Sequence, residues 1–111
     1  MRREMAKSLL DALEACRAIS EFTAGHSFEY YQVNKLLRSG VERQFEIVGE
    51  AFNRIEAIDA DFRKRLPQMG AIIGMRNRII HGYDAVDDSI IWDAVQRHVP
   101  HLIEWLEQHQ V

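Results

Sequence analysis

Residues 41–58 read VERQFEIVGEAFNRIEAI, and in them Val41, Phe45, Val48, Phe52 and Ile55 recur at alternating steps of four and three. That spacing puts apolar side chains on one face of an α-helix, so the stretch predicts a long amphipathic helix to about Ile58. The same rule works outward in both directions. Upstream, Met5, Leu9, Ala12, Cys16 and Ile19 keep the rhythm, with Leu13 and Phe22 on the same face, which predicts a first helix ending near Phe22. Residues 23–27 break it, and Ser27 suits the N-cap of the next helix. Residues 28–37 read as a short helical stretch with aromatics at Phe28, Tyr30 and Tyr31, which Arg38, Ser39 and Gly40 weaken without having to end. Downstream, residues 59–66 form a polar, basic connection, and Pro67 suits the first turn of a helix. Ile72, Met75 and Ile79 mark that helix, with Gly82 as its C-terminal cap. Asp87 and Asp88 open the last helix, where acids complement the helix dipole. Ile91, Val95, Leu102, Trp105 and Leu106 line its apolar side, and Pro100 should kink it. No period-two run, hairpin dipeptide or long-period repeat intervenes. The expectation is an all-α, antiparallel bundle of four to five helices forming a single domain, 1–111.

Composition sets the outer limits. With 47% hydrophobic and 28% charged residues, 111 residues make one small globular domain and are too apolar for a disordered chain. The high surface-to-volume ratio of such a domain means that burying a face in a homodimer would help it. No apolar run approaches membrane-spanning length, and residues 1–15 lack the uninterrupted apolar core of a signal peptide. A cytoplasmic protein with no membrane partner is therefore expected. The single cysteine, Cys16, excludes an internal disulfide framework and a cysteine-based zinc site. A formal charge of −3 excludes a globally basic nucleic-acid coat. It also hides an asymmetry. Residues 62–83 hold five basic side chains (Arg63, Lys64, Arg65, Arg76, Arg78) and no acid, a charge of +5. Residues 84–111 hold six acids against Arg97 alone, a charge of −5. A local basic segment can still bind a phosphate; two helices of opposite sign facing each other, or facing water, is the competing reading.

The chemistry-bearing stretch is MRNRIIHGYD, residues 75–84. Asn77 and His81 are four apart and share a helix face, which would let the amide orient the imidazole. His81 falls at a helix C-terminus, where the dipole favours a cation. Arg76 lies on the adjoining face, and its long side chain can swing toward the helix end. Such a trio suits phosphodiester chemistry: the guanidinium can stabilise charge developing at phosphorus, and the imidazole can move a proton to or from an attacking or leaving oxygen. An arbitrary Arg and His at this spacing would more often be a capped, solvated helix end.

These residues also carry a resemblance. Arg76, Asn77 and His81 match the R-N-x-x-x-H motif of the HEPN superfamily, and His81-Gly82-Tyr83 matches the H-x-Y extension of HepT-like ribonuclease toxins. Residues 43–51, RQFEIVGEA, resemble the R-x-x-E-x-x-G-E-A segment of that group, and residues 86–100 resemble its last helix. The resemblance spans most of the chain. It implies a helical homodimer with the motif residues meeting in a cleft at the dimer interface. It further implies a metal-independent endoribonuclease toxin, without cofactor, from a type VII-like toxin–antitoxin module. The implied partner is a cognate MNT-type nucleotidyltransferase antitoxin that silences the toxin by AMPylation. The roles carried over are phosphate stabilisation for Arg76, orientation for Asn77, acid–base work for His81 and AMP acceptance for Tyr83, with Arg43, Glu46, Glu50 and Arg78 in support. AMP there would set a bulky anion beside Arg76 and His81. Asn34 stands where the group often has an acid. Without a metal, the expected reaction is attack by the RNA 2′-OH on its own phosphate, giving a cyclic phosphate and a free 5′-OH. The other reading is a non-catalytic nucleotide-binding subunit, or one that docks a nucleotidyltransferase.

Other residues have plainer readings. Glu42, Glu46 and Glu50 follow at four-residue steps and are read as satisfying arginines, Arg43 or a base on the motif helix, rather than as a metal site. His98 and His101 lack a third ligand and are read as surface residues. Gly70 and Gly74, four apart in the motif helix, suggest close approach of a neighbouring helix. Phe28, Tyr30 and Tyr31 are read as core or dimer packing, Trp92 and Trp105 as core, and Cys16 as a small buried hydrophobe.

Overall fold

A computed structural model describes residues 2–82 and 86–110. The described residues form six helices: α1 (Arg2–Thr23), α2 (Phe28–Val33), α3 (Lys35–Ile58), α4 (Phe62–Arg65), α5 (Gln68–Ile80) and α6 (Asp88–Gln108). No strand occurs among them. The four-three faces all turn inward. Leu9, Ala12, Cys16 and Ile19 of α1 meet Val41, Phe45, Val48, Phe52 and Ile55 of α3, with Ile72 and Met75 of α5 and Ile91, Leu102 and Leu106 of α6 completing one core. α3 is the central element, with α1 and α5 packed against it and α6 closing over α1. Long-range contacts fix the antiparallel sense. Arg54 near the end of α3 bonds Ser8 and Asp11 near the start of α1, whereas Gly40 near its start faces Phe22. Among the described residues no helix is long and apolar enough to cross a membrane.

The boundaries show local chemistry at work. Ser27 caps α2 by accepting from the Tyr30 N–H at 3.1 Å. The expected single stretch over 28–37 is corrected: the chain breaks at Asn34, whose Oδ1 accepts from the Leu37 N–H at 2.9 Å and starts α3. An asparagine cap satisfies an orphan N–H that Arg38-Ser39-Gly40 could not, so the helix runs straight through Gly40. The 59–66 connection contains the short helix α4, and Pro67 is the N-cap of α5 rather than its first residue. His81 is the C-cap of α5, at φ −103° and ψ 12°, immediately before the expected Gly82. Gly25, after α1, has φ 75°. Asp87 caps α6, accepting from the Ser89 hydroxyl and N–H, bonds that hold its carboxyl below the usual range. α6 then continues through Pro100.

Some side chains depart from their expected places. Phe22 does not join the core; it is 41% exposed and lines an open groove of about 360 Å³ with His26, Tyr30, Asn34, Leu36, Leu37 and Gly40. Tyr31 is fully buried against Trp92, with ring centroids 5.3 Å apart, while Tyr30 stays exposed and stacks on His26. Trp92 and Trp105 are half-buried at the edge of the core. Among the described residues of the chain, Gly70 and Gly74 do not mark a close helix approach: nothing lies within 4 Å of where a Gly74 side chain would be, and the nearest atoms at Gly70 are those of the Arg63 guanidinium. The close approach lies at Gly49, where α3 meets Arg76 of α5.

Candidate functional site

α5 delivers Arg76, Asn77 and His81 to its last turn. Its inner face is anchored by Met69, Ile72, Ile73 and Met75, all buried. That anchoring leaves Asn77 and Arg78 exposed, and His81 exposed at the C-cap. Arg76 lies at the border and is half-buried. Its stem packs into α3 at Gly49: a Cβ built there would fall 2.3 Å from Arg76 Cβ and 2.6 Å from Cγ.

Polar contacts organise the turn differently from the sequence expectation. Arg76 Nη1 donates to Asn77 Oδ1 at 3.0 Å, so the amide oxygen is engaged by the guanidinium and not by the imidazole. His81 is tied to Asn77 through the backbone instead, its N–H donating to the Asn77 carbonyl at 3.0 Å. The imidazole therefore belongs to a fixed helix end and is exposed. Arg76 Nε is buried and makes no hydrogen bond to another described residue. Leaving a buried donor of a charged group unmade costs on the order of 1–3 kcal/mol, and such groups call for an explanation in function.

Charge pairing singles out the same place. Of the five bases in residues 62–83, three are neutralised: Arg63 by Glu56, Lys64 by Asp61 and Arg65 by Asp59. Among the described residues Arg76 and Arg78 make no ion pair. Glu46 and Glu50 do not neutralise them either, since Arg43 Nη1 holds both, at 3.1 and 3.8 Å. The expected +5 segment thus reduces to two guanidiniums unpaired among the described residues, Arg76 against α3 and Arg78 on the outer side of α5, near the helix end that carries the exposed His81.

The remaining expectations separate cleanly. Tyr83 lies outside the described residues. His98 is half-buried and His101 exposed, and among the described residues no group of three His, Cys, Asp or Glu could hold a metal ion. Burial pushes the Cys16 thiol up to about 12, which makes it inert at neutral pH. Two features escaped the sequence reading. One is Gly49, a glycine on the apolar face of a long helix, a position where a missing side chain signals close backbone approach. The other is Tyr31, whose buried hydroxyl has no partner. Burial, then Glu42 and Asp88, hold its proton on; burial, then Asp88, raise the Glu42 carboxyl in turn.

Comparison with known proteins gives the family. The family described as "Ribonuclease HepT-like" matches residues 12–109. A Thermococcus cleftensis protein named "Probable ribonuclease HepT" is 34% identical over 104 residues, covering 92% of each chain. A Methanocaldococcus jannaschii protein named "Putative RNase MJ1380" is 32% identical over 108 residues, covering 96% of each. No solved structure matches. With the match running from α1 to the end of α6 and enclosing the whole Arg76–His81 turn, the chain belongs to the HepT-like ribonuclease family.

Proposed function

We propose that the protein is a metal-independent endoribonuclease toxin of the cytoplasm that cleaves RNA in a cleft between two copies of the chain. The reading rests on one observation: the last turns of a rigidly anchored helix carry an exposed His81, with Arg76 toward α3 and Arg78 on the outer side, both unpaired among the described residues. In the reaction the RNA 2′-oxygen bonds to the adjacent phosphorus and the bond from phosphorus to the 5′-oxygen breaks. One imidazole takes the 2′-OH proton and another protonates the leaving 5′-oxygen, giving a 2′,3′-cyclic phosphate and a 5′-OH. Arg76 meets the charge that grows on the phosphoryl oxygens. Two His81 side chains divide the acid and base roles, which is why two copies serve better than one.

The outward side of α5 supports that pairing. Ala71 and Gly74 are exposed and small, and with Gly70, Met75, Arg78 and Ile90 they line an open groove of about 280 Å³. A second α5 could approach closely there and bring its own motif alongside. Tyr83, two residues beyond His81, is the AMP acceptor for a partner nucleotidyltransferase of the MNT type. An added phosphate would compete for Arg76 and Arg78.

The test is RNA cleavage in EDTA by wild type and His81→Ala, with analysis of the product ends. Cleavage by wild type alone, leaving cyclic phosphates, is expected. Activity that vanishes in EDTA and returns with a divalent ion would overturn metal independence. No cleavage of messenger or transfer RNA by protein free of AMP would favour the nucleotide-binding or docking subunit, since the net charge of −3 gives RNA no general attraction.

A further inference from the structure

We propose that Gly49 is a positioning residue for the Arg76 guanidinium, its absent side chain forming the seat that holds the arginine stem. The inference rests on the reading of Arg76 as the phosphate-holding group and extends it to a residue that touches no substrate. A Cβ at Gly49 would fall 2.3 Å from Arg76 Cβ, 2.6 Å from Cγ and 3.4 Å from Cδ. Three successive carbons of the stem thus lie against one bare stretch of α3 backbone. An arginine normally keeps most of its rotamer freedom. Here the first torsions are fixed by packing, and the Nη1 bond to Asn77 Oδ1 at 3.0 Å fixes the guanidinium at the far end. The group is held in place before any phosphate arrives, which is the condition for electrostatic stabilisation without reorganisation.

The buried, unpartnered Nε fits the same account. A seam chosen for stability alone would not enclose a charged group's donor without an acceptor. The chain tolerates it because drawing the stem into the seam sets where the guanidinium emerges. No other residue type fits at Gly49. Restoring ordinary carbon–carbon separation from 2.3 Å needs a shift of about 1.2 Å between α3 and α5 at this point. Because the clashing atom is Cβ, the shift must be taken by the α5 backbone and not by a flexible tip. A displacement of that size at a reacting group costs about 100-fold in rate.

The experiment compares wild type, Gly49→Ala, Arg76→Ala, Arg76→Gly and the Gly49→Ala/Arg76→Gly double variant in single-turnover RNA cleavage, each with a thermal melt. Gly49→Ala should lose about 100-fold in kcat, with KM within about threefold, while still melting above the assay temperature. In an Arg76→Gly background, which lacks the clashing Cβ and Cγ, the same substitution should cost nothing more, because its effect runs through the residue-76 side chain. A general structural defect would instead lower both backgrounds alike, and that result overturns the proposal. Wild-type cleavage by Gly49→Ala alongside inactive Arg76→Ala overturns it too. Full activity in Arg76→Ala would remove the underlying reading of Arg76. A second measurement needs no variant at Gly49 to fold: the Arg76 Nε–H signal in a ¹⁵N-correlated spectrum, identified by its loss in Arg76→Lys. It should exchange with water at least tenfold more slowly than the exposed arginines. Exchange at their rate would mean that the stem is not seated and would overturn the proposal.

Discussion

Gly49 and Gly74 are both glycines inside helices, and they are there for opposite reasons. At Gly49 there is no space: Arg76 Cβ occupies the position that any side chain would take. At Gly74 there is nothing within 4 Å of that position. The first glycine serves a contact within the chain, and the second leaves the outer side of α5 bare among the described residues. Between them lies α5, whose inner side is committed to α3 and whose outer side presents small residues, then Asn77, Arg78 and His81. A catalytic turn benefits from both conditions, since its side chains must be fixed from behind and open in front.

The largest expected effects come from the groups where the two sides meet. His81→Ala and Arg76→Ala should each lower RNA cleavage by about 10²–10⁴-fold, the range for loss of a general acid–base group or of a charge-stabilising donor. Circular dichroism should show an intact helical fold for both, because His81 is exposed and the Arg76 guanidinium holds no ion pair among the described residues. Unfolding of Arg76→Ala would mean that the inner contact serves stability first.

The sharpest test of the comparison is a difference in sign. Gly49→Ala places a methyl into occupied space, at a cost of about 1–3 kcal/mol that outweighs the helix-propensity gain of about 1 kcal/mol. Gly74→Ala meets no neighbour and should keep that gain, up to about 1 kcal/mol of added stability. Urea denaturation of the two variants under the same conditions measures both. Equal signs would break the comparison. Gly74→Arg then asks what the open side is for. It should leave the protomer folded, shift the sedimenting species to monomer and remove most cleavage. A dimeric, active Gly74→Arg would place the proposed cleft elsewhere.

The sequence made one of these sides readable and hid the other. Spacing such as Val41–Phe45–Val48–Phe52–Ile55 names a face, because burial is a property of every residue along it. It does not name what stands opposite, which depends on residues far away in the chain. That is why Gly70 and Gly74 were expected to mark a close approach when the approach lies at Gly49, 27 residues before Arg76. The break at Asn34 was missed for a related reason: a cap is one hydrogen bond at one residue, with no period to announce it. At the site, the residue types on Arg76, Asn77 and His81 were legible and their hydrogen bonding was not. The Asn77 amide has two neighbours of suitable chemistry, and the structure turns it to the arginine. Nothing periodic marks Tyr31 as a buried hydroxyl without a partner, because that state depends on how α2 and α6 close over it.

The smallest predicted effect probes how the inner side treats charge. Glu42 sits on α3, one turn before Glu46, partly withdrawn from water and facing Asp88, with Arg38 as the nearby cation. Burial first, then Asp88, raises its carboxyl above the ordinary value. The sign comes from linkage. A carboxyl that holds its proton more tightly when folded favours the fold at low pH, and that advantage is lost as pH rises from the unfolded value through the raised folded one. At neutral pH the charged side chain is therefore a net cost. Glu42→Gln should stabilise the protein at pH 7, by less than about 1 kcal/mol because the group keeps part of its solvent. The gain should fade as the pH is lowered through the raised value to the ordinary carboxylate value, where wild type carries the same neutral side chain. Urea titrations at pH 7 and pH 4 measure the change. A Glu42→Gln protein that is less stable at pH 7 would show that Arg38 outweighs burial and Asp88, and that the inner side of the bundle accepts a carboxylate as readily as its surface does.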